Sequence, residues 1–111
     1  MTAICRVDDI ADKSGRSFTV AIDGAATAIM VVRLGRTVRA YVNRCPHLEL
    51  NLDWQPDHFF DFERKHILCG MHGALFRVGD GVCIYGPCLG RALTRVPIDV
   101  ADGEVRLAAN P

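Results

Sequence analysis

Two short cysteine–histidine pairs constrain this chain more than any other feature of its sequence. The first is Cys45-Pro46-His47, the second is Cys69-Gly70-Met71-His72, and 21 residues separate them. Each pair ends or follows a short segment with strand character, so two adjacent hairpins can bring all four side chains to one point. Two thiolates and two imidazoles are suitable ligands for either Zn²⁺ or an iron–sulfur cluster.

The order of ligands within each pair favours the cluster. A zinc finger usually carries Cys-x₂₋₄-Cys followed by His-x₃₋₅-His, so that each like pair lies on one element. Here each turn carries one cysteine and one histidine, and Cys45 and His47 are too close in sequence to chelate one tetrahedral ion comfortably. The pairing is natural if the two side chains bind different irons of a [2Fe–2S] centre in which two histidines replace two cysteines. A structural zinc in the same four residues remains the alternative.

The rest of the sequence predicts an all-β protein. Short segments rich in Val, Ile, Thr and aromatic residues alternate with turn residues, and no segment has a sustained helical period apart from one turn near residues 7–12. Tight turns such as Asp23-Gly24 indicate antiparallel pairing, and therefore a β-sandwich or small open barrel. The predicted strands are Ser17–Asp23, Thr27–Leu34, Val38–Asn43, His66–Leu68, Ala74–Arg77, Val82–Tyr85, Leu93–Val100 and Glu104–Leu107.

The two pairs and their neighbours resemble the cluster-binding loops of Rieske iron–sulfur proteins. Gly73 follows the second pair, Gly86-Pro87 falls where that family has a proline loop over the cluster, and Ala74-Leu75-Phe76 matches the strand after the second loop. The resemblance covers roughly Val20–Leu107. It implies a Rieske-type fold over residues 1–111 as a single domain, with a base of antiparallel strands and a smaller cluster-binding lobe at about 43–87.

The resemblance also implies the cofactor, its ligands and the activity. The cofactor would be one [2Fe–2S] cluster, with Cys45 and Cys69 on the buried iron and His47 and His72 on the outer iron. The activity would be single-electron transfer with redox partner proteins, a reductase and a terminal oxygenase or reductase. A collar for transient docking is expected around the histidines, from Leu48, Leu50, Met71, Pro87 and Leu89.

Departures from the family pattern point to its ferredoxin branch. Respiratory members join the two loops by a disulfide, but Leu50 and Met71 stand at those positions. Those members also direct Ser and Tyr hydroxyls at the cluster sulfurs, whereas the matching residues here are Ala74 and Phe76. Because hydrogen bonds to the sulfurs raise the reduction potential, a low-potential cluster is expected. Glu49, where many members have glycine, predicts a different backbone path in the first loop.

Composition excludes several other classes. Thirteen basic residues balance thirteen acidic ones, so no electrostatic footprint for nucleic acid is present. The start of the sequence has no apolar signal region, and the longest apolar stretch, Ala25–Val32, is far shorter than the roughly 20 residues of a membrane helix. These features predict a soluble, cytoplasmic protein, and the resemblance implies that it is an electron carrier and not itself an enzyme. The alternatives are a zinc-binding interaction module and a permanently bound small subunit of a larger oxidoreductase.

Several chemically reactive residues are predicted to be structural. Cys83 and Cys88 are expected to be buried small apolar residues, with a disulfide between them as the alternative. Cys5 is expected to be incidental, and His58 and His66 to be solvated. The aromatic residues of the long segment between the two pairs are expected to pack under the cluster loops; they are Trp54, Phe59, Phe60 and Phe62.

Overall fold

The protein is built almost entirely of antiparallel strands, as predicted. A computed structural model describes residues 3–44, 59–61, 65–69, 73–86 and 88–108. One 3₁₀ turn, Val7–Asp9, lies where the sequence predicts a helical turn. The strands are β1 Ala3–Arg6, β2 Ser14–Ile22, β3 Ala25–Leu34, β4 Thr37–Val42, β5 His66–Leu68, β6 Leu75–Arg77, β7 Cys83–Tyr85, β8 Arg95–Val96, β9 Ile98–Ala101 and β10 Glu104–Leu107.

Within the described residues these strands form three antiparallel sheets. Their orders are β1-β10-β9, β2-β3-β4-β8 and β5-β6-β7. Two-residue Asp-Gly turns join β2 to β3 and β9 to β10, and both residues of each turn have positive φ, as the type I′ hairpin requires. The turn at Asp23-Gly24 is therefore a confirmed prediction.

The four-stranded sheet is covered on both faces. The run from Ile29 to Val32 in β3 is completely buried. Because side chains alternate along a strand, Met30 and Val32 enter one apolar core, while Ile29 and Val31 enter the other. The core on the Met30 side also contains the buried residues of β5, β6 and β7. The third sheet is therefore packed on one face of the second.

One predicted strand is two strands in the structure. The segment Leu93–Val100 was expected to be one strand, but it divides into β8 and β9, which belong to different sheets. Pro97 separates the two strands, and it has no N–H to continue a ladder. The chain therefore passes from the four-stranded sheet to the sheet of β1, β10 and β9 at this proline. The strand β1 was not predicted.

The described residues form strands and one short 3₁₀ turn. No helix there is long and apolar enough to cross a bilayer.

Candidate functional site: a cysteine turn and its neighbouring loops

One of the four predicted cluster ligands lies within the described part of the chain. Cys69 directly follows β5, whereas Cys45, His47 and His72 lie outside the described residues. Among the described residues, no three His, Cys, Asp or Glu side chains lie together so that they could hold a metal ion. The described parts of the site are therefore Cys69 and the elements that lead into the three loops.

Cys69 occupies a tight backbone turn between β5 and β6. Its N–H donates to the carbonyl of Ala74 at 2.9 Å, and its own carbonyl accepts from the N–H of Gly73 at 2.9 Å. The side chain is 1% exposed and belongs to the apolar core shared with Ala74 and Phe76. Cys69 is thus a buried thiol on a backbone fixed at both ends, which suits a sulfur ligand that must be held in a dry, defined position.

The strand that leads to the first pair is also fixed up to its end. The N–H of Val42 donates to the carbonyl of Thr94 at 2.8 Å, and the N–H of Asn43 donates to the carbonyl of Ala28 at 3.0 Å. Asn43 is 4% exposed, and Arg44 beyond it is exposed. Since Cys45 is the next residue, the first pair begins where a well-anchored strand ends.

The segment around Gly86 packs directly against the cysteine turn. A Cβ placed on Gly86 would lie 2.8 Å from the Cα of Ala74, and Gly86 has a φ of +100°. Only a residue without a side chain allows this approach. The N–H of Leu89 then donates to the carbonyl of Gly86 at 3.2 Å, which closes a turn over residues 86–89. The loop that contains Pro87, itself outside the described residues, therefore starts beside Ala74.

Ala74 and Phe76 are both fully buried, in the same apolar core as Cys69. The two positions that would carry hydroxyl groups in the respiratory pattern therefore present only carbon to this core. The low potential expected for a cluster without these hydroxyl donors stays a prediction.

Cys5, Cys83 and Cys88 form no disulfide within the described residues. Cys83 and Cys88 are buried and are not joined to each other, and the thiol of Cys83 donates to the carbonyl of Tyr85 at 3.2 Å. Cys5 is half-buried, and burial together with the carboxylate of Asp9 raises the pKa of its thiol. The prediction that Cys83 and Cys88 act as small buried residues agrees with this arrangement.

Sequence reasoning overlooked the role of Asp61. Its carboxylate accepts the N–H groups of Lys65 at 2.9 Å and His66 at 3.2 Å, and it lies 3.6 Å from Nδ1 of His66. Burial acts to raise the pKa of Asp61, but these hydrogen bonds and the neighbouring imidazole outweigh it, so the pKa is lowered. His66 is therefore a partner of Asp61 at the start of β5; His58 lies outside the described residues.

The aromatic residues before β5 support the prediction of packing where they are described. Phe59 is 1% exposed and fills the core, with Cδ2 3.0 Å from the position that a Cβ on Gly15 would occupy. Phe60 packs against the same core. Trp54 and Phe62 lie outside the described residues.

Comparison with known protein families identifies the domain. A family model described as the Rieske [2Fe-2S] domain matches residues 1–102. The chain belongs to the Rieske family. Rieske domains hold one [2Fe–2S] cluster, and the buried thiol of Cys69 on its hydrogen-bonded turn fits that cofactor. No curated protein matched the sequence.

Solved structures share the fold along the whole chain. The ferredoxin of carbazole 1,9a-dioxygenase from Nocardioides aromaticivorans IC177 has 27% identity and a TM-score of 0.73, over 98% of this chain and 97% of the ferredoxin. The Sphingomonas yanoikuyae B1 ferredoxin has 22% identity and a TM-score of 0.70, over 98% of each chain. The terminal oxygenase of carbazole 1,9a-dioxygenase from Novosphingobium sp. KA1 has 19% identity and a TM-score of 0.75, over 99% of this chain and 30% of the oxygenase. The latter two likenesses concern the fold alone.

The close approach at Gly86 can be tested with a matched pair of substitutions. Gly86→Ala and Gly90→Ala both place a side chain at a φ near +90°, but only the Cβ at Gly86 meets another residue. We expect Gly90→Ala to cost about 1–2 kcal/mol of backbone strain and Gly86→Ala to cost about 1–3 kcal/mol more, from overpacking against Ala74. Thermal unfolding of both variants, followed by circular dichroism, measures the difference. Equal melting temperatures would contradict the proposed contact.

Proposed function

We propose that this Rieske protein is a one-electron carrier, the ferredoxin component of an oxygenase system, and that it is not itself an enzyme. The observation that carries this proposal is the turn at the buried residue Cys69, which packs against Gly86. The chain that contains this turn matches a dioxygenase ferredoxin over nearly the full length of both proteins. A related structure is a complex of a reduced oxygenase with an oxidised ferredoxin, whose match has 26% identity and a TM-score of 0.73 over 96% of this chain.

The proposed ligands of the cluster are Cys45, His47, Cys69 and His72. When bound, the cluster supplies reversible one-electron chemistry, so the work of the protein is to hold it and to set its environment. The backbone turn from Cys69 to Ala74 fixes one sulfur ligand, and the buried side chains of Ala74, Phe76 and Cys88 exclude water from that side. The family pattern assigns the histidines to the outer iron, where a partner would approach.

The proposed carrier works at low potential. Hydrogen bonds to cluster sulfurs stabilise the reduced, more negative state, and neither Ala74 nor Phe76 has a hydroxyl to donate. The potential should therefore lie at the low end of the Rieske range, at about −150 mV, against an upper end of about +300 mV. Such a potential suits a donor to an oxygenase.

Two substitutions should raise this potential. In Ala74→Ser and in Phe76→Tyr the new hydroxyl can donate a hydrogen bond to a cluster sulfur. If this bond is about 1 kcal/mol stronger in the reduced state, the reduction potential rises by about 40 mV for a one-electron couple. Protein-film voltammetry measures the shift. Ala92→Ser, which adds the same hydroxyl at an exposed position, is the control and should leave the potential unchanged.

A wild-type potential well above zero would contradict the low-potential proposal. If the control shifts the potential as far as Ala74→Ser does, the hydroxyl is not acting on a sulfur, and the assignment of this position fails.

The surface beside the third loop is a suitable place for the partner to dock. Ile84, Tyr85 and Leu89 are 39%, 65% and 68% exposed, and they lie on β7 and the turn that follows Gly86. We call these three residues the apolar rim. Large exposed apolar side chains next to a functional loop favour a transient protein contact. Leu89 belongs to the docking collar predicted from the sequence; Leu48, Leu50, Met71 and Pro87 lie outside the described residues.

Substitution of the apolar rim should slow electron transfer to an oxygenase. Leu89→Ser removes an exposed apolar contact, and we expect a five- to tenfold lower second-order rate, from about 1 kcal/mol of lost contact. The test is stopped-flow oxidation of the reduced protein by the terminal oxygenase of carbazole 1,9a-dioxygenase. Val100→Ser is the matched control, because Val100 is 50% exposed on β9 in a different sheet. Equal slowing by both variants would contradict the assignment of the docking surface.

Three further features of the proposal come from the sequence. The organisation as one domain over residues 1–111, the cluster-binding lobe at about 43–87 and the cytoplasmic location stay predictions. The three-stranded sheet β5-β6-β7 lies within the predicted lobe and supports its assignment.

A further inference from the structure

A buried tyrosine joins the strand before the first ligand pair to the sheet that carries the second. The hydroxyl of Tyr41, on β4, donates to the carbonyl of Val78 at 2.6 Å, across 37 positions of sequence. Tyr41 is completely buried, and burial raises the pKa of its phenol, so the hydroxyl keeps its proton and remains a donor. Val78 begins the turn between β6 and β7. A buried carbonyl that lost this donor would be costly to leave without a partner.

The ring of Tyr41 and a second side chain of β4 hold the same turn. A Cβ on Gly81 would lie 2.7 Å from Cε1 of Tyr41, so the ring rests directly against a bare backbone. Arg39, two residues earlier and therefore on the same face of β4, donates from Nε to the carbonyl of Gly79 at 3.2 Å. The strand thus contacts the β6–β7 turn at three residues, Val78, Gly79 and Gly81.

The position of this turn links all three loops of the site. β6 begins directly after the Cys69–Ala74 turn, and β7 ends directly before Gly86, which contacts Ala74. On the other side of the contact, Tyr41 lies four residues before Cys45 on a strand that is hydrogen-bonded up to Asn43. The Tyr41 contact therefore sets where the end of β4 stands relative to the hairpin that carries Cys69.

We propose that Tyr41 is a positioning residue for the cluster: its hydroxyl and ring fix the distance between the first ligand loop and the second. The inference rests on the proposed function, because it assumes that Cys45 and Cys69 share one cluster. A tyrosine that only stabilised the fold would change the unfolding temperature alone. A tyrosine that sets the distance between ligands also changes how tightly the iron is held and the symmetry of its electronic environment.

The test uses the cluster-loaded protein with the single hydroxyl removed. In Tyr41→Phe the ring stays against Gly81, but the carbonyl of Val78 loses its donor. We expect iron release to an excess of ferrous chelator to be about tenfold faster than in the wild type. We also expect the EPR lines of the dithionite-reduced protein to broaden, because the ligands sample more than one geometry.

A matched control separates positioning from general stability. Ile29→Val removes one methylene from the core on the opposite face of the sheet, where Ile29 is completely buried, and should lower the melting temperature by a comparable amount. Its iron release and EPR lines should match the wild type. If Tyr41→Phe releases iron no faster than Ile29→Val and has unchanged EPR lines, the proposal is overturned.

A second variant keeps the proposal testable if Tyr41→Phe does not fold. Arg39→Met removes the donor to Gly79, together with the hydrogen bond from Nη1 to the carbonyl of Val38, from a partly exposed position; it should accelerate iron release two- to threefold, and an unchanged rate would count against the proposal. A wild-type protein without iron and sulfide would instead overturn the proposed function together with this inference. Wild-type protein that carries the cluster, with all variants at the same release rate, would overturn this inference alone.

Discussion

The fold depends on burying both faces of one sheet. Four consecutive residues of β3, Ile29 to Val32, are excluded from water, and their alternation sends two side chains to each side. A strand that is buried on both faces has a continuous run of apolar residues in its sequence. This is why apolar and polar residues do not alternate in this segment. One face closes against the sheet of β1, β9 and β10, and the other receives the sheet that carries Cys69. Cys69 is therefore part of the core of the protein.

Backbone hydrogen bonds hold the elements that lead into the predicted ligand loops. The turn at Cys69 is closed by two of them, and the strand before Cys45 is held by others up to Asn43. Gly86 completes the arrangement because its missing side chain lets the third loop touch Ala74. An electron carrier benefits from such rigidity, since a cluster held in one geometry reorganises little when its charge changes. The apolar surroundings of Ala74 and Phe76 act in the same direction as the absent hydroxyls and favour a low potential.

Much of this architecture could be predicted because its determinants are local. The Asp23-Gly24 turn, the Gly35-Arg36 turn and the β-branched runs predicted the hairpins of β2 to β4, and the bounds of β5 were predicted to the residue. The division at Pro97 was missed because either side of the proline has strand character, and only tertiary packing decides which sheet each half joins. The ligand types and their spacing led to the family, but three of the four ligands lie outside the described residues and stay predictions. Tyr41 gave no signal at all, since an aromatic residue in an apolar strand is ordinary core, and its partner is 37 residues away.

The most direct test of the account is the metal content of anaerobically purified protein, with an EPR spectrum after reduction by dithionite. We expect two irons and two acid-labile sulfides per chain. We also expect a rhombic EPR signal whose average g value lies below 2, as for a cluster with nitrogen ligands. One zinc per chain, no sulfide and no signal would contradict the account. The four cysteine and histidine residues would then form a structural site, and the role in electron transfer would be lost.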